Sequence, residues 1–134
     1  MKKIFMYILL GVVCYELNAQ FVYENRVYSP LIKTVSLKKA DRLNEEPVIC
    51  LNKGEHLLLE FDDLREETLR YEYTLVHCNS DWTQSGLQSD MYIEGFEVQP
   101  IEHYANSFNT LQRYVHYSQS IPSSDMHIIK SGNY

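Results

Sequence analysis

A chain of 134 residues that is 45% hydrophobic and 22% charged, with only 5 Gly and 4 Pro, is neither disordered nor collagen-like and has room for one domain. Its 12 Lys and Arg stand against 18 Asp and Glu, a formal charge of −6 at pH 7, and such a field repels phosphate backbones and argues against nucleic acid as a partner. A chain of this size removes roughly two thirds of its unfolded surface from water, enough for one hydrophobic core without a metal or a framework of disulfides.

The first residues carry an address. Lys2 and Lys3 precede an apolar run from Ile4 to Val13, and the small residue Ala19 closes the segment. This is the pattern of a secretory signal peptide, with cleavage expected after Ala19. The run is too short for a membrane span of about 20 apolar residues, and Glu16 and Asn18 end it. Acylation at Cys14 is the competing processing, but Val13 stands where a small residue is expected. The expected organisation is a signal peptide over 1–19 and one domain over 20–134. Cys50 and Cys78 remain in the exported chain, and the sequence leaves open whether they pair or are separate thiols buried as small apolar residues.

Beyond residue 20, short stretches rich in Val, Ile, Leu and Tyr are separated by polar turn residues, and none keeps a helical period for three turns. The pattern predicts an all-β domain. Leu31 to Leu37 alternates as a strand, Ala40 to Glu46 is a polar turn, and Pro47 to Leu51 reads as a second short strand. His56 to Phe61 is a half-buried strand with Leu57, Leu59 and Phe61 on one face, ended by Asp62, Asp63 and Leu64. Arg70 to Cys78 is the most strongly patterned run and is predicted to be a central strand, its Tyr71, Tyr73 and Leu75 facing the core. Asn79 to Ser89 is a polar loop anchored by Trp82, and Ser89 to Asn109, interrupted by Pro100, is a long connection packed by its own aromatic side chains. Arg113 to Ile121 is a further strand, and Met126 to Lys130 begins a last one that is expected to be cut short, leaving an unpaired edge.

No constellation in the chain has the spacing of a catalytic or metal centre. His77 and Cys78 are adjacent, but neighbours on a strand point to opposite faces, so the expected reading is a buried thiol beside a packed imidazole. The five histidines show no HxxxH pair, and Asp62-Asp63 reads as a solvated strand end with an Asx-type turn rather than a calcium loop. Ser123, Ser124 and Asp125 lack the glycines of a nucleophile elbow. The composition is instead marked by 11 Tyr, 5 Phe and 1 Trp. Most belong to a tyrosine-rich core, while Trp82, in its polar loop, and Phe96 are the candidate partner contacts. The prediction from residues alone is a binding module without enzymatic activity or cofactor, for which a carbohydrate-binding module stacking sugars on Trp82 is the alternative.

Several phrases together resemble a known family: Tyr28 to Leu37 (YSPLIKTVSL), Phe61 to Leu64 (FDDL), Tyr71 to Trp82 (YEYTLVHCNSDW), Gly95-Phe96, Pro100 to Thr110 (PIEHYANSFNT) and the closing Ser131 to Tyr134 (SGNY). In this order they resemble the N-terminal domain of the type IX secretion system plug proteins. The resemblance implies an immunoglobulin-like β-sandwich, incomplete at its C-terminal end because the family's chains run on through that strand into a second large domain. It also implies a periplasmic location at the inner side of the outer membrane, and the outer-membrane translocon as partner, occluded when no substrate occupies it. It supplies no catalytic residues and implies neither a small-molecule substrate nor a nucleic-acid partner.

Signal-peptide cleavage gives the first testable outcome: mass spectrometry of the exported protein should find Gln20 at the amino terminus. An intact Met1 or a lipid on Cys14 would overturn the assignment.

Overall fold

A computed structural model describes residues 23–42 and 45–134. The proposed signal segment with Cys14 lies outside the described residues, as do two positions of the predicted polar turn, 43 and 44. Among the described residues eight strands follow one another: β1 (Ile32–Lys39), β2 (Leu57–Asp63), β3 (Tyr71–Thr74), β4 (Ile93–Gly95), β5 (Val98–Ile101), β6 (His103–Asn106), β7 (Val115–Ile121) and β8 (Met126–Ile128). The described residues hold no α-helix, only one 3-10 turn over Ser89–Met91. All pairing is antiparallel, in a four-stranded sheet of order β1-β2-β7-β6 and two ribbons, β3-β5 and β4-β8. The chain is therefore all-β, its sheets packed in the manner of a sandwich.

Alternation decides which faces meet. Along β7 the residues Val115, Tyr117, Gln119 and Ile121 are buried while those between them are not, and β2 presents Phe61 and Asp63 on the same face, in register with Tyr117 and Val115. Against this face lies the β3-β5 ribbon, whose Ile101 joins Phe61, Val115 and Tyr117 in one core cluster, with Leu59, Tyr71 and Tyr73 packed on it. The rings interlock: Phe61 stacks on Tyr117 at 5.1 Å, and Tyr71 meets both edge-on at 5.0 and 4.8 Å. A second cluster of Tyr92, Ile93 and Met126 joins the β4-β8 ribbon to Leu75, Leu87 and Tyr134. Tyr73 touches both clusters and so links the layers.

Polar groups inside this core are satisfied with few exceptions. The Tyr117 hydroxyl receives the Leu69 N–H at 2.8 Å and donates to the Leu69 carbonyl at 3.0 Å, pinning the β2–β3 connection to β7. Asp63 is wholly buried and accepts from Arg65 Nε at 2.8 Å, the Arg65 backbone N–H at 3.0 Å and the Tyr71 hydroxyl at 2.6 Å. Burial pushes this carboxyl up, but the bonds from Arg65 and Tyr71 together outweigh it and hold the group below the ordinary carboxylate range. Burial, followed by the bond to Asp63, pushes the Tyr71 phenol up to about 12.

Four expectations need correction. Pro47–Leu51 is not a strand: Pro47 offers no N–H, the Cys50 N–H is taken by the Glu55 carboxylate at 2.8 Å, and a turn follows with Asn52 and Gly54 in the left-handed region. The run from Arg70 to Cys78 is not a central strand. Its strand portion, β3, pairs only with β5 and ends at Thr74, and farther along Cys78 bridges to Gln84 and Asn133 instead; the central strands are β2 and β7. The connection from Ser89 to Asn109 is not irregular, for it contains β4, β5 and β6. Pro100 is accommodated on a two-stranded ribbon, where its missing donor can face the open side. Finally, Asp62-Asp63 is not a solvated end. The turn bond from the Arg65 N–H to Asp63 is of Asx type, but Asp63 points into the core.

Two tyrosines that differ in how their hydroxyls are satisfied test this packing. Tyr117→Phe strands the Leu69 N–H and C=O and should destabilise the fold by about 1–3 kcal/mol. The Tyr73 hydroxyl is buried with no partner among the described residues, so Tyr73→Phe should stabilise it by about 1 kcal/mol. Chemical denaturation of both variants checks the pair, and equal losses would contradict the assignment of partners.

The Asp63–Tyr71 pair also sets a pH window. An acid whose folded pKa is depressed contributes stability above its unfolded value that is lost as pH falls through the folded one, so unfolding should become easier below about pH 4. Between about pH 10 and 12 the unfolded phenol ionises while the folded one does not, and stability should fall as pH rises. Asp63→Asn and Tyr71→Phe should each flatten the corresponding limb of a melting-temperature profile.

Candidate partner-contact surfaces

Trp82 sits at the tip of a turn that the sequence over-determines. The Trp82 N–H donates to the Asn79 carbonyl at 3.1 Å, the Asn79 N–H to the Thr83 carbonyl at 2.8 Å, and the Asn79 side-chain amide to the Thr83 hydroxyl at 3.0 Å. Asp81 accepts from the Thr83 hydroxyl at 2.6 Å and its N–H at 3.1 Å, and these bonds, the hydroxyl first, hold the carboxyl below its ordinary range. The mesh forces Trp82 to φ +63°, a left-handed conformation that bulky residues rarely adopt. The result is an indole held out at 47% exposure on the wall of a groove of about 560 Å³. Thr74, Leu75 and Val76 form another wall, and Tyr23 and Tyr134 are the tyrosines that share it.

Beneath this loop lie His77 and Cys78, both buried. The Cys78 thiol points back to the Val76 carbonyl at 3.5 Å, and burial, followed by the charge of Asp81, pushes its pKa up, which suppresses the thiolate. His77 packs on the rings of Tyr92 and Tyr134, and its Nε2 lies 3.3 Å from the Ser131 carbonyl. Gly132 lies so close to this imidazole that a Cβ would come within 2.2 Å of Nε2, and the Cys78 N–H donates to the Asn133 carbonyl at 2.7 Å. Cys50 is exposed and Cys78 buried, and both are free thiols.

Phe96 is presented differently. Its N–H donates to the Asp125 carbonyl at 2.9 Å, and Gly95, at φ +106°, is so close to that carbonyl that a Cβ would come within 2.2 Å of the oxygen. Only glycine permits this approach of β4 to the turn before β8, and it leaves the Phe96 ring 69% exposed. The ring borders a polar cleft with the buried Gln99 and Gln119. Trp82 and Phe96 thus line different clefts.

Other exposed features escaped the sequence reading. Across the outer face of the four-stranded sheet runs a polar ladder in which Glu60 pairs with Lys38 at 2.5 Å and lies 3.8 Å from His116 Nε2. Asp62 meets His116 Nδ1 at 2.7 Å and accepts from the Thr34 hydroxyl. Thr34 stands at φ +52° in a β-bulge where β1 gains a residue against Phe61. The largest apolar exposure is at the tip between β6 and β7, where Phe108 is 93% exposed and Leu111 fully so, although Phe108 was expected to pack within its own connection. The signal was present: Asn106-Ser107 and Asn109-Thr110 separate two strand-like runs, and a hairpin tip has no inner side to bury an aromatic.

Comparison with known proteins gives a consistent result. The sequence pattern of the family described as "Type 9 secretion system plug protein 1st domain" matches residues 32–134. Among solved structures, a hypothetical protein from Parabacteroides merdae ATCC 43184 is similar, with 39% sequence identity and a TM-score of 0.81 over 84% of this chain. The match spans 28% of that protein's length. No curated protein matches the chain.

Proposed function

The chain belongs to the type 9 secretion system plug protein family, residues 32–134 forming its first domain, and from that premise we propose that this protein occludes the system's outer-membrane translocon channel from the periplasmic side when no substrate occupies it. The observation that carries this reading is the family match, which covers every strand of the fold. The surface supports it. Aromatic side chains such as Trp82, Phe96 and Phe108 stand out from a domain whose core is otherwise well supplied with aromatics, and exposed rings of this kind are the usual anchors of protein interfaces. The mode of action is steric. The protein is held at the inner side of the outer membrane by contacts with the translocon, and its part involves no catalytic step.

Deleting the gene should make the outer membrane permeable to large molecules, and the intact gene should reseal it. The gene lacking the codons for residues 32–134 should fail to do so. An unchanged barrier in the deletion strain would overturn the proposal.

A further inference from the structure

The β6–β7 hairpin is the part of the molecule least explained by folding. Its ends are clamped, the Ser107 N–H donating to the Tyr114 carbonyl at 2.9 Å and the Tyr114 N–H to the Ser107 hydroxyl at 3.0 Å. Between these clamps Asn109 takes a left-handed turn at φ +55°, and Phe108 and Leu111 project into solvent at 93% and full exposure. The clamp fixes the base of the loop, and Phe108 and Leu111 point away from the sheet beyond it.

Charge distinguishes the same segment. In a chain with 18 Asp and Glu, the stretch from His103 to Ser124 contains neither, and its one fixed charge is Arg113 at the base of the tip. Arg113, Asn109 and Thr110 border a cleft of about 630 Å³ beside Phe108, where Glu66 from the β2–β3 connection is the carboxylate on the lining. The half-exposed Tyr104 lies on the neighbouring edge strand β6. A tip carrying Phe108, flanked by Tyr104 and Arg113, presents the aromatic and arginine residue types enriched in protein interfaces, and Leu111 adds apolar area beside them.

We propose that this hairpin tip is the element that docks this domain on the translocon, Phe108 and Leu111 entering an apolar recess of the channel protein and Arg113 meeting a carboxylate on its rim. The inference rests on the plug reading above and adds to it a surface and the chemistry of its receptor. A protein fits better than a lipid surface. Two apolar side chains and one arginine are too little for stable anchoring in a bilayer. The absence of carboxylates from the tip segment is what an acidic receptor rim requires.

The test uses the full chain in its native host, with a photo-crosslinking side chain placed singly at 108, 111, 82 and 96. Positions 108 and 111 should capture an outer-membrane component of the secretion system, identified by mass spectrometry. The double variant Phe108→Ser/Leu111→Ser should keep its melting temperature, since both side chains are exposed, and should retain at most about a tenth of the co-purifying component. Arg113→Gln should weaken retention and reduce its dependence on salt. Capture of that component from 82 or 96 but not from 108 or 111 would overturn the hairpin assignment and leave the plug reading standing. Capture from none of the four, with an unchanged barrier in the deletion strain, would overturn both. Flotation of the wild-type protein, but not the double variant, with phosphatidylethanolamine–phosphatidylglycerol vesicles would replace the protein receptor with a lipid one and so overturn the proposal.

Discussion

Asp63 is the side chain on which the arrangement of layers depends. It is the last residue of β2, it is wholly buried, and its charge is tolerable only because Arg65 and Tyr71 supply donors from the connection and from the opposing ribbon. A carboxylate removed from water without such partners is strongly unfavourable, so the bonds are a condition of burial rather than an addition to it. Their geometry fixes where the chain turns after β2 and where Tyr71 must sit. With Tyr71 placed, its ring closes edge-on against Phe61 and Tyr117, and the four-stranded sheet and the β3-β5 ribbon can meet in one way. The apolar cluster alone would permit small slips; the buried carboxylate does not.

The second cluster is built on weaker terms. Met126 is fully buried and Tyr92 and Ile93 nearly so, but β4 and β8 are three residues each, and their link to the rest runs through Tyr73 and Leu75. Among the described residues the Tyr73 hydroxyl has no partner, so the bridging side chain is held by shape and not by a hydrogen bond. The groove beside Trp82 and the cleft beside Phe96 both lie toward this end, where Leu75 and Tyr134 line the one and the turn before β8 lines the other.

How much of this was legible in the sequence follows from what each signal depends on. Period-two alternation is local, and it identified β2 and β7 and placed Phe61, Leu59, Tyr71 and Tyr73 toward the core, as found. Pairing is not local. The run from Arg70 to Cys78 alternates as well as any strand, yet nothing within it reveals that Cys78 will meet Asn133 and not β5. The same limit applies to Asp63: two adjacent acids look like a solvated end, and only Tyr71 and Arg65 folded back onto one of them turn it inward. Very short strands fail for a simpler reason. Three or four residues, as in β4, β5 and β6, carry too few alternations to stand out from a loop, and Pro100 further disguised one of them.

The exposed aromatics follow a related logic. A tyrosine or phenylalanine within an alternating run has an inner face available and is buried by the pattern that makes the strand. One set at a turn has no such face, and its exposure is fixed by the backbone and not by its hydrophobicity. Trp82 is held out by a left-handed residue within an Asp81–Thr83–Asn79 mesh, Phe96 by the contact between Gly95 and the Asp125 carbonyl, and Phe108 by the Ser107–Tyr114 clamp. In each case polar or glycine backbone chemistry opposes the tendency of the ring to bury itself. Three independent devices with the same effect are hard to attribute to folding, which would be served as well by a serine at each position. They are readily understood on the proposed reading that another protein holds this domain, because a ring already fixed in its bound orientation loses little conformational freedom when a partner closes over it.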